Sequence, residues 1–220
     1  MKSKQVFGVI FDMDGVLVDS RQPHFESWRM VAREFGRDMT EAQFADTFGR
    51  TNRDIVHFLW GKGVSNDEIK KIGTRKEAAY RDLIAKNIPA VPGLQKLLPA
   101  LYEAGAKLAV GSSGPIENVN LVLDGLDIRK YFSAIVSSFD VTEGKPHPQV
   151  FLTAAQRLGL EPKQCVVIED APAGIEAGHR GGMKVIALKT SYTPDKIADA
   201  DKLCRDLTEV NAEMICSLLH

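Results

Sequence analysis

A chain of 220 residues can form one substantial core plus a small second unit, because single domains typically run to roughly 100–150 residues. Its 28 Lys and Arg against 29 Asp and Glu leave a net charge of −1, so no global field draws it to nucleic acid or to an anionic membrane surface. Any anion it binds must be captured locally. Three cysteines, Cys165, Cys204 and Cys216, are odd in number and lack ligand spacing. They exclude a disulfide framework and a zinc site, and they suit a reducing cytoplasm.

The first apolar run, Val6–Phe11, begins too near the start for a signal h-region, and no stretch of roughly 18 apolar residues follows it. The expectation is a cytoplasmic chain with no targeting or membrane-spanning segment. That run and four others, at Lys107–Val110, Ala134–Val136, Cys165–Ile168 and Lys184–Leu188, are short and rich in β-branched residues, which predicts buried strands. Helical patterns at Leu94–Glu103, Ile116–Leu123, Gln149–Leu158 and Ala173–Arg180 lie among the later strands. Strand and helix alternate as parallel crossover units require, so the fold class is α/β with a doubly wound parallel sheet.

After the first strand the pattern changes. Phe25, Trp28, Met30, Val31 and Phe35 recur at helical spacing, followed by Phe44, Phe48, Ile55, Phe58 and Leu59, and no strand-like run occurs before Pro89. Residues 21–88 therefore read as an all-helical insertion into a core made of 1–20 and 89–220. The aromatic stripe is assigned to packing inside that insertion.

Four segments carry candidate chemistry. Asp12 and Asp14 follow the first strand; on an extended chain residues two apart face one side, so both carboxylates can converge while Met13 packs inward and Gly15 permits a sharp turn. An Asp-x-Asp pair alone also fits a turn or a solvated loop, and the flanking Val9-Ile10-Phe11 and Gly15-Val16-Leu17-Val18-Asp19-Ser20 make this one more specific. Ser112-Ser113-Gly114 ends the second strand where a helix opens, an arrangement that suits a phosphate but is also ordinary cap chemistry. In Glu143-Gly144-Lys145-Pro146-His147-Pro148 the prolines fix a loop and hold one ammonium in place. Glu169-Asp170 puts two adjacent acids at the end of a buried strand, where they need a cation. Mg²⁺ takes oxygen ligands and keeps waters, so one or two carboxylates suffice.

Together these segments resemble the haloacid dehalogenase-like phosphotransferase superfamily, whose first motif is matched from Val9 through Ser20, and the likeness runs across the whole chain. The resemblance implies a Rossmann-like core with an inserted α-helical cap that closes over substrate. It implies Asp12 as nucleophile, forming an aspartyl-phosphate, and Asp14 as general acid and then base. Ser112 and Lys145 would stabilise the transferring group, with Gly15 and Ser113 beside the substrate. Mg²⁺ would be held by Asp12, the Asp14 carbonyl and Asp170. Glu169 would bind it directly, bind it through water, or orient a ligand.

Within the superfamily the chain looks most like the β-phosphoglucomutase and sugar-phosphate phosphatase branch, on Asp19-Ser20, on His24 in Pro-His-Phe-Glu-Ser-Trp, and on Gly49-Arg50-Thr51-Asn52-Arg53. That branch implies substrate contacts from His24, Gly49, Arg50 and Arg53; His24 also fits simple packing on a helix. Phe48 and Pro115 stand where the mutase pattern has lysines for a second phosphate, which favours a phosphatase with water as acceptor. A mutase is the alternative, and a catalytically silent binding protein a third reading. Dehalogenation is excluded because it needs neither a second acid nor Mg²⁺. The expected partner is a small phosphorylated metabolite, a sugar phosphate foremost, with no nucleic acid, no membrane and a monomeric chain.

Overall fold

The structure is a computed structural model and describes residues 6–220, so the first five residues of the 1–20 assignment lie outside the described residues. The chain divides into two compact units, one running up to Asp19 and resuming over Pro89–His220, the other Ser20–Ile88.

The first unit is built on six parallel strands, β1 (Gly8–Phe11), β2 (Lys107–Gly111), β3 (Phe132–Val136), β4 (Cys165–Glu169), β5 (Lys184–Leu188) and β6 (Lys202–Cys204), in the order β3-β2-β1-β4-β5-β6. This is the Rossmann-like order, in which the chain leaves β1 in opposite directions and ligands gather beyond the carboxyl ends of the strands. All of β1 and β4 is buried, as expected for central parallel strands covered on both faces. Phe11 aligns with Val110 of β2 and Ile168 of β4, so Asp12, Ser112 and Glu169 leave the sheet at one end.

Among the described residues, α5 (Leu94–Glu103), α6 (Ile116–Gly125), α7 (Gln149–Leu158) and α8 (Pro172–Arg180) lie between successive strands, and α9 (Ala212–Leu218) follows the last one. In α7 the residues Val150, Phe151, Ala154, Ala155 and Leu158 form one apolar stripe, which packs with Ile10, Ala109, Val167 and Val185 of the sheet. Two strand starts differ from the sequence pattern. β1 begins at Gly8, because Val6 is exposed and has no strand beside it, and β3 begins two residues before Ala134. The edge strand β6 and helix α9 were not predicted.

The second unit holds α1 (Arg21–Glu34), α2 (Glu41–Thr47), α3 (Asn52–Trp60) and α4 (Asn66–Ile84). Thr40, Thr51 and Ser65 cap α2, α3 and α4 by accepting from the N–H groups of Gln43, Asp54 and Glu68. Phe25, Trp28, Val31, Phe44, Ile55, Val56, Ile69 and Ile72 form its core, with Phe35, Phe48 and Leu59 packed partly against it. Met30 and Phe58 correct the packing assignment: both are exposed, because each falls on the outward side of a helix whose other apolar residues face inward. Among the described residues no helix is long and apolar enough to cross a membrane.

Away from the carboxyl end of the sheet, Asp201 ties β5 to α8. It accepts from Lys184 Nζ at 2.7 Å, from the Val185 N–H at 2.9 Å, and bonds His179 Nε2 at 2.9 Å. Burial pushes this carboxyl up, but the three donors outweigh burial and hold it at about 2. A carboxyl depressed in the folded state adds stability above its unfolded pKa of about 4 and loses it as pH falls toward 2. Lys184 is half exposed, which screens the pair. Asp201→Asn is therefore expected to cost on the order of 1 kcal/mol in urea unfolding near neutrality, and roughly half of that near pH ~3. An equal cost at both pH values would contradict this.

Candidate active site

Asp12 stands one residue beyond β1, its N–H donating to the Ile168 carbonyl at 2.9 Å. Lys145 Nζ reaches Asp12 Oδ1 at 2.5 Å and Glu169 Oε1 at 2.7 Å, and lies 4.6 Å from the centre of the Phe151 ring. The other Glu169 oxygen accepts from the N–H groups of Asp170 at 2.6 Å and Ala171 at 2.7 Å, at the start of α8. Both oxygens of Glu169 thus have protein donors. Asp170 Oδ2, by contrast, is buried with no hydrogen-bond partner.

Asp12, Glu169 and Asp170 offer oxygens within 4.8 Å of one another, all from buried residues. Three carboxylates face one ammonium there, and burial together with the surplus negative charge shifts the titration of Asp12 and Asp170. Burial drives the Asp12 carboxyl up; Lys145 pulls it back, Glu169 and Asp14 push further, and it settles at about 7. Burial, then Glu169 and Asp12, lift Asp170 well above the carboxylate range. Burial disfavours the Lys145 ammonium, yet the two carboxylates more than restore it and raise its pKa. A hard divalent cation fits this donor set: it would neutralise the excess charge and give the orphaned Asp170 oxygen a partner.

The loop after β1 has to pass very close to that oxygen. Gly15 has φ +75°, and a β-carbon built on it would lie 1.9 Å from Asp170 Oδ2, so no other residue fits without displacing the carboxylate. Thr190 holds this loop, donating from Oγ1 to the Gly15 carbonyl at 2.6 Å. Met13 is fully buried, as alternation along the extended chain requires.

Asp14 and Ser112 come to the same sheet end. A β-carbon at Gly114 would lie 3.3 Å from Ser112 Oγ and 4.0 Å from Asp14 Oδ2, so the two side chains border one small space. Ser112 is buried and its Oγ accepts from the Gly114 N–H at 3.0 Å, whereas Ser113 is exposed. Cys165 is inert: burial pushes its thiol up to about 11.

The helical unit holds His24, Gly49, Arg50 and Arg53. His24 stacks on Tyr80 with centroids 4.0 Å apart, and its Nδ1 is 2.8 Å from Lys76 Nζ. An ammonium can only donate, so Nδ1 accepts and a neutral ring carries its proton on Nε2. Arg50 and Gly49 are exposed in the connection between α2 and α3, and Arg53 donates to Asn66 Oδ1 at 2.9 Å.

Lys76 was missed by sequence reasoning. It is 3% exposed, bonded to His24 and to Glu77 Oε1 at 3.0 Å, with its ammonium against the Trp28 and Tyr80 rings. A signal was present: Ile69, Ile72, Lys76, Ala79 and Tyr80 share one face of α4, and a lysine in an apolar stripe needs a reason. Ser191, whose hydroxyl bonds Asp170, left no such mark.

Residues 9–188 match the haloacid dehalogenase-like hydrolase family. Validoxylamine A 7′-phosphate phosphatase of Streptomyces hygroscopicus subsp. limoneus is 34% identical over 91% of this chain and 94% of its own length. β-Phosphoglucomutase of Bacillus subtilis is 33% identical over 94% of this chain and 92% of its own. A crystal structure of β-phosphoglucomutase from Clostridium difficile superposes with a TM-score of 0.86 at 25% identity, covering 98% of this chain and 97% of the other. The matched span takes in Asp12, Ser112, Lys145, Glu169 and Asp170, and the protein is an enzyme that belongs to the haloacid dehalogenase-like hydrolases.

Proposed function

We propose that the protein is a Mg²⁺-dependent phosphatase of a small sugar phosphate, working through an aspartyl-phosphate on Asp12. The observation that carries this reading is the buried Asp12 carboxylate, clamped at 2.5 Å by Lys145 beside the orphaned oxygen of Asp170. The name of validoxylamine A 7′-phosphate phosphatase supports it, and that of β-phosphoglucomutase supports the mutase alternative.

Asp12, the Asp14 carbonyl and Asp170 would hold Mg²⁺, with Glu169 orienting the site from its two N–H bonds and Lys145. The ion supplies neutralisation of charge at the transferring phosphoryl group. Asp12 attacks phosphorus in line as the bond to the leaving oxygen breaks, and Asp14 gives that oxygen its proton. Lys145 and Ser112 hold the equatorial oxygens while charge builds on them. Asp14, now a carboxylate, then takes a proton from water as the water attacks the aspartyl-phosphate, which releases phosphate and regenerates Asp12.

One observation favours the mutase alternative. The Arg21 guanidinium lies 4.9 Å from the Phe48 ring centre and 5.6 Å from that of Phe44, so a cation stands over the ring that replaces the mutase lysine. The two readings separate in one experiment. Purified protein with Mg²⁺ is given β-glucose 1-phosphate, with and without a trace of glucose 1,6-bisphosphate, and a panel of hexose and hexitol phosphates, all followed by phosphorus NMR. Free phosphate from one or more esters, abolished by chelator, is the expected result. Bisphosphate-stimulated glucose 6-phosphate without free phosphate would replace the phosphatase reading with the mutase.

A further inference from the structure

The catalytic ammonium of Lys145 is carried by an exposed loop, yet it has to meet two buried carboxylates at 2.5 and 2.7 Å. A lysine side chain has four rotatable bonds and cannot fix its own position, so the precision must come from the backbone. The residue before it supplies none: a β-carbon built at Gly144 would meet nothing within 4 Å.

The upstream restraint is Gln149, the first residue of α7. Its Oε1 accepts from the Thr142 N–H at 3.0 Å, from Thr142 Oγ1 at 3.2 Å and from the Glu143 N–H at 2.9 Å. One side-chain oxygen therefore gathers three donors from two exposed residues six and seven positions earlier. The downstream half is closed separately: the His147 N–H donates to the Gly144 carbonyl at 2.9 Å, the Gln149 N–H to His147 Nδ1 at 3.3 Å, and Arg180 to the Pro146 carbonyl at 3.2 Å. Two residues beyond Gln149, Phe151 provides the ring on which the Lys145 ammonium rests. The same helix thus supplies both the loop's anchor and the ammonium's seat.

We propose that Gln149 is a positioning residue for Lys145, its side-chain carbonyl tying the loop to α7 so that the ammonium meets Asp12 and Glu169. The inference deepens the phosphatase reading and rests on it for its kinetic test. Gln149→Leu keeps the size and removes the acceptor; Gln149→Glu keeps an acceptor. A misplacement of ~1 Å can cost ~100-fold in rate, so Gln149→Leu is expected to lower kcat at least ~10-fold with p-nitrophenyl phosphate. Gln149→Glu should recover most of that loss.

In a Lys145→Ala background, assayed by single turnover with enzyme in excess, Gln149→Leu should lower the rate little further, because the two residues act as one unit. A Gln149→Leu enzyme with unchanged kcat would overturn the proposal. So would a Gln149→Glu enzyme as slow as the leucine variant, which decides the matter even where Lys145→Ala falls below detection. If the parent protein releases no phosphate from any ester, the phosphatase reading fails instead. Amide hydrogen exchange at Thr142 and Glu143 then still tests the anchor, with faster exchange in Gln149→Leu expected and unchanged exchange overturning it.

Discussion

Replacing Asp12 with asparagine is expected to abolish turnover, by at least ~10³-fold, while leaving the fold in place. An amide has the size of the carboxylate but is not a nucleophile, so no aspartyl-phosphate forms and the added mass of a phosphoryl group disappears from the trapped enzyme. Stability is the subtler half. Removing one partner of a buried ion pair usually costs ~3–5 kcal/mol because it strands the other charge. Here it strands nothing, since Lys145 keeps Glu169 at 2.7 Å and the cluster carries more acids than cations. Urea unfolding should therefore shift by no more than ~1 kcal/mol. A variant that folds and still turns over near the parent rate would end the covalent mechanism.

Gly174→Ala tests the site from behind. This glycine lies in α8, and a β-carbon there would fall 1.7 Å from Glu169 Oε1 and 1.9 Å from its carboxyl carbon. Alanine improves helix propensity by ~1 kcal/mol, which on an open helix would stabilise the protein. The opposing terms are larger. Overpacking costs ~1–3 kcal/mol, and a displaced Glu169 leaves the Asp170 and Ala171 N–H groups unpaired for a further ~1–3 kcal/mol. A net loss of ~2–4 kcal/mol in denaturant unfolding is expected, with kcat lowered ~100-fold as Lys145 loses one of its two carboxylates. Parent-like stability and rate would mean that Glu169 is not held as described.

Much of the fold was legible because burial writes itself into short runs. Val9-Ile10-Phe11 and Val166-Val167-Ile168 are fully buried central strands, and a strand covered on both faces must be apolar throughout. The acids that follow them stand out against that background, which is why Asp12, Glu169 and Asp170 could be picked out as candidates. Lys202-Leu203-Cys204 could not, since three residues at a sheet edge with one exposed lysine carry no period. Lys76 escaped for another reason. What gives it meaning is His24, 52 residues earlier, and helical periodicity reports which face is buried without saying which distant side chain arrives there. Gln149 was hidden in the same way: in sequence it is one polar residue opening a helix, and its three donors converge only once the loop has folded.

The central place of β1 bears on how the chemistry would be lost on heating. The Asp12 amide is bonded to the Ile168 carbonyl and the Ser112 amide to the Val136 carbonyl, both as continuations of the sheet's own ladder. Such amides are expected to exchange through larger openings than those of exposed Ser113 and Thr142, which can exchange through local fluctuation. Asp12 therefore stays in place as long as the sheet does. On heating, the exposed loop that carries Lys145 should loosen first, so that activity is lost at a lower temperature than that of global unfolding.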